Sequence, residues 1–264
     1  MRTILRPNIV LITIDSCRQD IISIYNVKEK HVGKNISKYG KQGLIFINAF
    51  SPAPYTSASI YSLITSLYLN KIPPYYKPYS LSTMDVFISL PSILRRGGYI
   101  TIGLSGSNPF LSSSTNYHKM FNVFKDYIND PRIRSSTFSR IVDKVLNKLK
   151  LDESKKSFIK TYILNIKPPI IDAINLTNDA INFIIKYKSK MFFLWIHYMD
   201  AHVPHIPPIG GWQRKIKYAL KRIKAFNKEL TENQSLIGIL KHFYKEQLVF
   251  IDHNIGRLFT FLEK

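Results

Sequence analysis

The feature that most constrains this chain is a short apolar run at residues 9–14, preceded by Pro7-Asn8 and stopped by Asp15. A run that is apolar without alternation is typical of a strand covered on both faces, since a strand with one face in water alternates. Similar runs predict three further strands, at residues 44–50, 99–104 and 192–196. The core of the fold is therefore expected to be a buried sheet.

Segments with helical spacing alternate with these strands. Gly97-Gly98 is expected to end the second of them, and Asn175 or Thr177 to cap the third. The predicted helices cover residues 57–67, 86–96, 176–188 and 237–263. Strands that alternate with helices predict an α/β fold: a mostly parallel sheet flanked by helices on both faces.

Length and composition favour one domain. A chain of 264 residues, 45% of them hydrophobic, can bury a sizeable core, so residues 1–264 are expected to form a single domain. Residues 134–165 are Lys-rich and amphipathic, which predicts a helical insertion within residues 130–170 on the outside of that domain.

The formal net charge is +21, from 38 Lys and Arg against 17 Asp and Glu. This charge predicts attraction to anions, including nucleic acid, anionic lipid and phosphate or sulfate esters. The lysines are scattered along the chain and not collected in one arm, however, which favours ordinary solvated faces over a dedicated anion-binding surface. Nucleic acid is a possible but not a favoured partner, because no RNA-binding signature or zinc-finger spacing accompanies the charge.

The sequence contains only weak signals about the cellular compartment and about membrane insertion, and these signals agree. No stretch approaches the roughly 20 apolar residues that a membrane-spanning helix needs. The run at residues 9–14 is short and lacks a small-residue cleavage site, so it does not resemble a signal peptide. A single cysteine, Cys17, excludes an internal disulfide framework. The cytoplasm is the expected location.

Polar side chains follow three of the predicted strands. Asp15 follows the first, Asn108 lies just beyond the strand ending near Leu104, and His197, Asp200 and His202 follow the last. Ligands of open α/β sheets collect beyond the carboxyl ends of the strands. A carboxylate fixed by a buried strand is a good ligand for a hard metal ion, although Asp15 equally fits a cap for the turn that follows it.

Thr56 is the candidate nucleophile. It lies at the start of the helix predicted from residue 57, where backbone N–H groups and the helix dipole favour an anionic group. A threonine hydroxyl is a weak nucleophile unless a metal or a base activates it. The alternative interpretation is that Thr56 is an ordinary N-cap residue.

Five segments in order resemble the sulfatase family of the alkaline phosphatase superfamily, from residue 6 to the end, with a gap near 130–170. They carry the opening strand with its metal carboxylate, the nucleophile segment, the next strand and loop, a substrate-binding histidine, and the helix before a second metal motif. The segments are RPNIVLITIDSCRQD (6–20), FINAFSPAPYTSASIYSLITSLY (46–68), GGYITIGLSGSNPFLSS (97–113), FFLWIHYMDAHVPHIPP (192–208) and FYKEQLVFIDHNIGRLFTFLEK (243–264).

The resemblance implies a role for each matched residue. Asp15 and Thr56 would be ligands of a divalent cation (Ca, Mg or Mn), with Thr56 also the nucleophile. His202 would contact the transferred group or the leaving oxygen, and Asn108 would be a weaker substrate contact. Asp200 and His197 would support the loop. The implied substrates are anionic small-molecule or glycan esters of sulfate or phosphate.

Departures from the family pattern limit these expectations. Thr56 cannot become the formylglycine of true sulfatases, which favours phosphate over sulfate chemistry. Ile60 replaces a basic residue beside the nucleophile, Ser66 replaces a usual Gly, and Ser16 replaces the second Asp of some members. The Asp-His-Gly segment that completes the metal site is expected shortly after Lys264.

With one carboxylate and one hydroxyl, the cation should bind weakly if at all, and the chain alone should be weakly active or inactive. The alternatives are a non-catalytic remnant, a chain that needs a complementing C-terminal half, and an anion-binding protein for nucleic acid or acidic glycan on the same fold.

Overall fold

The computed structural model describes residues 6–68, 80–133, 147, 152, 170–203 and 234–264. The strands are β1 (Ile9–Ile14), β2 (Ile100–Leu104), β3 (Val123–Lys125) and β4 (Phe192–Tyr198). The helices are α1 (Lys34–Gly40), α2 (Thr56–Thr65), α3 (Thr83–Ile88), α4 (Leu90–Arg96), α5 (Ala173–Tyr187) and α6 (Gln234–Leu262). Short 3₁₀ turns lie at Gln19–Ile21, Ser113–Thr115 and Tyr117–Met120.

The four strands form one parallel sheet in the order β1-β4-β2-β3. β4 is an interior strand and is buried along its whole length, which agrees with the apolar run at residues 192–196. Thr13 of β1 is in register with His197 of β4, and Leu104 of β2 with Ile196. The predicted α/β class with a mostly parallel sheet is confirmed.

Helices α5 and α6 cover one face of the sheet. Leu194, Ile196 and Tyr198 of β4 point to this face and pack in one hydrophobic cluster with Leu176 of α5 and Ile251 of α6. The long helix α6 repeats its apolar residues every three or four positions, so one stripe of it faces the sheet.

Helix α2 lies on the opposite face. Phe193 and Trp195, which alternate with the residues above along β4, pack here with Ile60 and Ile64 of α2. Phe121 stacks on both aromatic rings, with centroid distances of 6.4 Å to Phe193 and 5.9 Å to Trp195. Helices on both faces complete the predicted layered arrangement.

The strand predicted at residues 44–50 is wrong. This segment forms turns and irregular structure, and its apolar side chains are mostly exposed. No described strand lies beside it to pair with its backbone. Side chains, instead of a neighbouring strand, contact its backbone carbonyls: the amide of Gln19 donates to the Ile47 carbonyl at 2.8 Å, and the Tyr25 hydroxyl lies 3.4 Å from the Phe46 carbonyl.

Two helix predictions need correction. The helix expected at 86–96 is two helices, because Pro91 has no N–H to continue the first one, and Ser89 caps the second instead. Helix α5 begins before the expected caps: the Asp172 side chain accepts from the Asn175 N–H, so Asp172 is the N-cap, and Asn175 and Thr177 are inside the helix.

Some predictions fall outside the described residues. Nearly all of the helical insertion expected within 130–170 lies there, as does the Pro-rich segment 204–208. Among the helices that the structure describes, none is both long and apolar enough to span a membrane.

Candidate active site

The candidate residues meet at the carboxyl end of the sheet. Asp15 follows β1, Asn108 lies in the loop after β2, and His202 lies in the turn after β4. All three line one cavity of about 970 Å³, together with Thr56 at the start of α2. The parallel sheet explains this arrangement, because its strands all end at the same edge.

Thr56 and Asp15 are in direct contact. The Thr56 hydroxyl donates a 2.7 Å hydrogen bond to Asp15 Oδ2. The N-cap of α2 is Tyr55, whose backbone is extended, and Thr56 is the first residue of the helix. The alternative interpretation of Thr56 as an N-cap is therefore wrong: its hydroxyl is directed at a carboxylate rather than at the helix backbone.

The hydrogen bonds that Asp15 accepts come from side chains, so it does not act as the cap of the turn after β1. The Ser16 hydroxyl donates to Oδ1 at 2.8 Å, and His197 Nε2 lies 3.3 Å from Oδ2. The turn itself is held from α6, where the Tyr244 hydroxyl donates to the Ser16 carbonyl and accepts from the Arg18 N–H, both at 2.8 Å.

The Asp15 carboxyl group is only 7% exposed, and burial raises its pKa. The close contact with His197 and the hydrogen bonds from Thr56 and Ser16 act in the opposite direction and prevail, lowering the pKa to about 2. Asp15 is therefore ionised throughout the physiological pH range. It can orient the Thr56 hydroxyl firmly, but it is a weak base.

His197 is a site residue whose position the sequence did not reveal. It was expected to support the loop, and it is instead a buried residue of β4 that touches Asp15 directly. The available signal was a histidine inside an otherwise apolar, wholly buried strand, because a buried imidazole needs polar partners. The sequence gives no indication of which residue that partner is.

His202 is half-buried in the turn after β4. Its Nδ1 lies 2.7 Å from the Val203 carbonyl, which can only accept, so Nδ1 carries a proton. The other ring nitrogen, Nε2, remains for a ligand. Asp200 joins this turn to α5, since its Oδ1 accepts from the Ala173 N–H at 3.2 Å.

Asn108 is buried, and its amide holds its own loop together. Its Oδ1 accepts from the Phe110 N–H at 2.9 Å, and its Nδ2 lies 3.4 Å from Met199 Sδ. Ile60 belongs to the buried apolar cluster and also lines the cavity, where it supplies no charge to a bound anion.

The described residues do not by themselves make a divalent-cation site. No group of three or more His, Cys, Asp or Glu side chains suited to a metal ion occurs among them. The carboxylate that they supply beside Thr56 is that of Asp15, to which the Thr56 and Ser16 hydroxyls are bonded, whereas Ca²⁺ takes six to eight oxygen ligands and Mg²⁺ six. Both Asp15 oxygens are also engaged by protein donors.

Solved structures with the same fold are about twice as long as this chain. A protein of the alkaline phosphatase superfamily from Vibrio parahaemolyticus superposes with a TM-score of 0.59 at 15% identity, over 98% of this chain and 50% of that one. The lipoteichoic acid synthase LtaP from Listeria monocytogenes gives 0.61 at 14% identity, over 97% and 52%.

A third structure, Ps i-CgsB in complex with k-i-k-neocarrahexaose, gives a TM-score of 0.57 at 18% identity, over 98% of this chain and 55% of that one. At such low identities these superpositions show the shared fold alone. This chain spans about half the length of each of the three.

A search of curated proteins gave no significant match. The sequence profile of the family described as Sulfatase, in contrast, matches residues 7–264, which is nearly the whole chain. On that match, and with a fold shared with alkaline phosphatase superfamily structures, the chain belongs to the sulfatase family.

Proposed function

We propose that this chain carries the nucleophile-bearing part of an enzyme that hydrolyses or transfers sulfate or phosphate esters. The observation that carries the proposal is the Thr56 hydroxyl, bonded to the ionised Asp15 at the wall of a cavity that His202 and Asn108 also line. Group transfer through a covalent intermediate can use a hydroxyl as nucleophile, an acceptor for its proton and an imidazole, all placed around one cavity.

In the proposed reaction, Thr56 Oγ1 forms a bond to phosphorus or sulfur, and its proton passes to Asp15 Oδ2, to which it already points. The bond to the leaving oxygen breaks, and that oxygen keeps the electron pair and takes a proton from His202. Water, or an acceptor alcohol in a transfer reaction, then attacks the Thr56 ester and gives its proton to His202. The bond to Thr56 Oγ1 breaks, and Oγ1 takes back the proton held by Asp15.

A threonine nucleophile favours phosphate over sulfate esters, because it has no route to formylglycine. Anionic small-molecule or glycan esters are the proposed substrate class. The net charge of +21 supports an anionic substrate, and the similar fold of a protein bound to neocarrahexaose is consistent with a glycan.

Asp15 and Thr56 are proposed as two ligands of a divalent cation (Ca, Mg or Mn) whose remaining ligands lie elsewhere. A complementing C-terminal segment is the proposed source of those ligands, and the greater length of the similar structures supports this. Because Asp15 is a weak base with a pKa of about 2, the chain on its own should turn over slowly or not at all.

The test is turnover of p-nitrophenyl phosphate and p-nitrophenyl sulfate by the natural protein, with its length and any modification of Thr56 defined by mass spectrometry. Thr56→Ala should lower kcat at least about a thousandfold. Ser62→Ala is the matched control, because Ser62 lies on the same helix outside the cavity and should leave turnover unchanged.

Equal rates for the wild type and Thr56→Ala would refute the assignment of the nucleophile. No turnover of any ester by the wild-type natural protein combined with its complementing C-terminal segment, with Ca, Mg or Mn present, would refute the enzyme and favour a non-catalytic remnant or an anion-binding protein.

A further inference from the structure

The hydroxyl of Tyr244, on α6, closes the turn that follows Asp15. It donates to the Ser16 carbonyl and accepts from the Arg18 N–H, both at 2.8 Å. Both directions are fixed, because a carbonyl can only accept and an amide N–H can only donate. One buried side chain from a distant helix thus bridges the two sides of this turn.

The turn needs such a bridge because Ser16 lies in the left-handed region, with φ 57°. A residue with a side chain keeps this conformation only where its surroundings hold it there. In this conformation the Ser16 hydroxyl donates to Asp15 Oδ1 at 2.8 Å, while Asp15 Oδ2 accepts from the Thr56 hydroxyl at 2.7 Å. The bond from Ser16 therefore limits rotation of the carboxyl group away from Thr56.

Helix α6 is itself fixed against the chain that follows this turn. The Asp252 carboxylate accepts from the N–H groups of Asn35, at 3.0 Å, and Ile36, at 2.9 Å, in the first turn of α1. Further along α6, Phe259 packs on Tyr39 with a distance of 4.4 Å between ring centroids. These contacts set the position of α6 along its own axis, and with it the position of the tyrosine hydroxyl.

We propose that Tyr244 is a positioning residue. Its hydroxyl clamps the turn after β1, and through the Ser16 hydroxyl it keeps the Asp15 carboxylate directed at Thr56. Tyr244 is buried and is not one of the residues that line the cavity, so its effect on the reaction passes through Asp15. The effect on turnover rests on the proposed role of Thr56, whereas the clamping of the turn does not.

The direct test is hydrogen exchange of the Arg18 amide, followed by NMR of ¹⁵N-labelled protein. Tyr244→Phe keeps the ring and removes the acceptor of the Arg18 N–H. This amide should therefore exchange about tenfold faster than in the wild type. An unchanged exchange rate would overturn the proposal.

Tyr99→Phe is the matched control. Tyr99 and Tyr244 are both 7% exposed, and each donates to a backbone carbonyl, but the Tyr99 hydroxyl bonds Pro7, before the start of β1, at 3.1 Å. The control should leave both the Arg18 exchange rate and turnover unchanged. Equal acceleration of Arg18 exchange in the two variants would indicate general loosening and would also overturn the clamp.

A second measurement concerns turnover in the natural protein. Tyr244→Phe should lower kcat by about 10- to 100-fold with little change in KM, as loss of a group that orients a site ligand does. Ser16→Ala removes the hydroxyl through which the clamp acts and should cause a loss of similar size. The double variant should lose little more than either single one, because both changes break the same link. Losses that multiply would refute the positioning role, since a residue that only stabilises the fold acts independently of Ser16.

The two proposals fail separately. If Thr56→Ala keeps full turnover while Arg18 exchange responds to Tyr244→Phe, the nucleophile is wrong and the clamp stands. If Thr56→Ala is inactive while neither Arg18 exchange nor kcat responds to Tyr244→Phe, the enzyme proposal stands and the role of Tyr244 is refuted.

Discussion

The Thr56 hydroxyl and the Asp15 carboxylate meet at 2.7 Å, joining the first turn of α2 to the end of β1. Neither residue could hold this geometry alone. Asp15 is fixed because its backbone N–H continues the β1–β4 pairing with a 2.9 Å bond to the Tyr198 carbonyl. Thr56 is fixed because Ile60 and Ile64 anchor α2 on the sheet.

The first prediction concerns acid stability. The pKa of Asp15 is lowered from 3.8 to about 2 in the folded protein, so its stabilising effect is complete above the ordinary value and disappears as the pH falls toward 2. The shift corresponds to about 2 kcal/mol. Asp15→Asn has no such titration, so its free energy of unfolding should depend less on pH.

Urea unfolding of both proteins between pH 5 and pH 2 measures this effect. The difference between their free energies of unfolding should change by about 2 kcal/mol over that range. A constant difference would mean that Asp15 has an ordinary pKa in the folded protein, and that the contacts from His197, Thr56 and Ser16 do not favour its ionised form.

The second prediction concerns His202 and the leaving group. If His202 protonates the leaving oxygen, His202→Ala should slow esters with poor leaving groups by about a hundredfold or more. p-Nitrophenyl esters, whose leaving oxygen needs no proton, should be affected far less. The measurement is kcat/KM of the natural protein on alkyl and p-nitrophenyl phosphates, and equal losses on both would exclude an acid role.

The parallel sheet was predictable because β1, β2 and β4 are each rich in apolar and β-branched residues and alternate with helical segments. Strand β3 was not, because its three residues are ordered by pairing with β2, not by a pattern of their own. The segment 44–50 shows the reverse case. Its sequence suits a strand, but pairing requires a neighbour, and a local pattern contains no information about one.

The candidate active site shows the same limit: a local sequence pattern does not contain information about spatial neighbours. Asp15, Asn108 and His202 were predictable as cavity residues because each follows a strand of one parallel sheet. The contact of His197 with Asp15 was not predictable, because it depends on the order and register of β1 and β4. Sequence indicates which side chains reach the edge of the sheet, whereas the register determines which of them touch.

The third prediction concerns Ser66, where the family usually has Gly. Ser66 ends α2 in the left-handed region, with φ 59°, a conformation that costs a residue with a side chain about 1 kcal/mol. Ser66→Gly should therefore raise the free energy of unfolding by about 1 kcal/mol without changing turnover, since Ser66 lies outside the cavity.

Ser62→Gly is the control for this prediction. Ser62 is a buried residue inside the same helix, where Gly has an entropic cost and also loses the side-chain contacts, so the change should lower stability by about 1 kcal/mol. Thermal and urea unfolding of both variants give the comparison. A loss of stability in Ser66→Gly would show that the serine side chain makes a stabilising contact that outweighs its backbone strain.

The fourth prediction concerns self-association. β1 is the outer strand of the sheet, and no strand in the described part of the chain pairs with its other edge. In the segment 44–50, Phe46 is 71% and Phe50 88% exposed. An open edge and exposed aromatic rings both promote association between copies. The charge of +21 opposes it, because like-charged copies repel one another.

Salt screens this repulsion, so the purified chain should associate more strongly as the ionic strength rises. Phe46→Ser with Phe50→Ser should reduce the association, whereas Met84→Ser, which changes an exposed apolar residue of α3, should not. Light scattering at low and high salt measures both effects. A monodisperse monomer at high salt would show that the β1 edge and the two phenylalanines do not drive association, because the copies would then stay apart even with their repulsion screened.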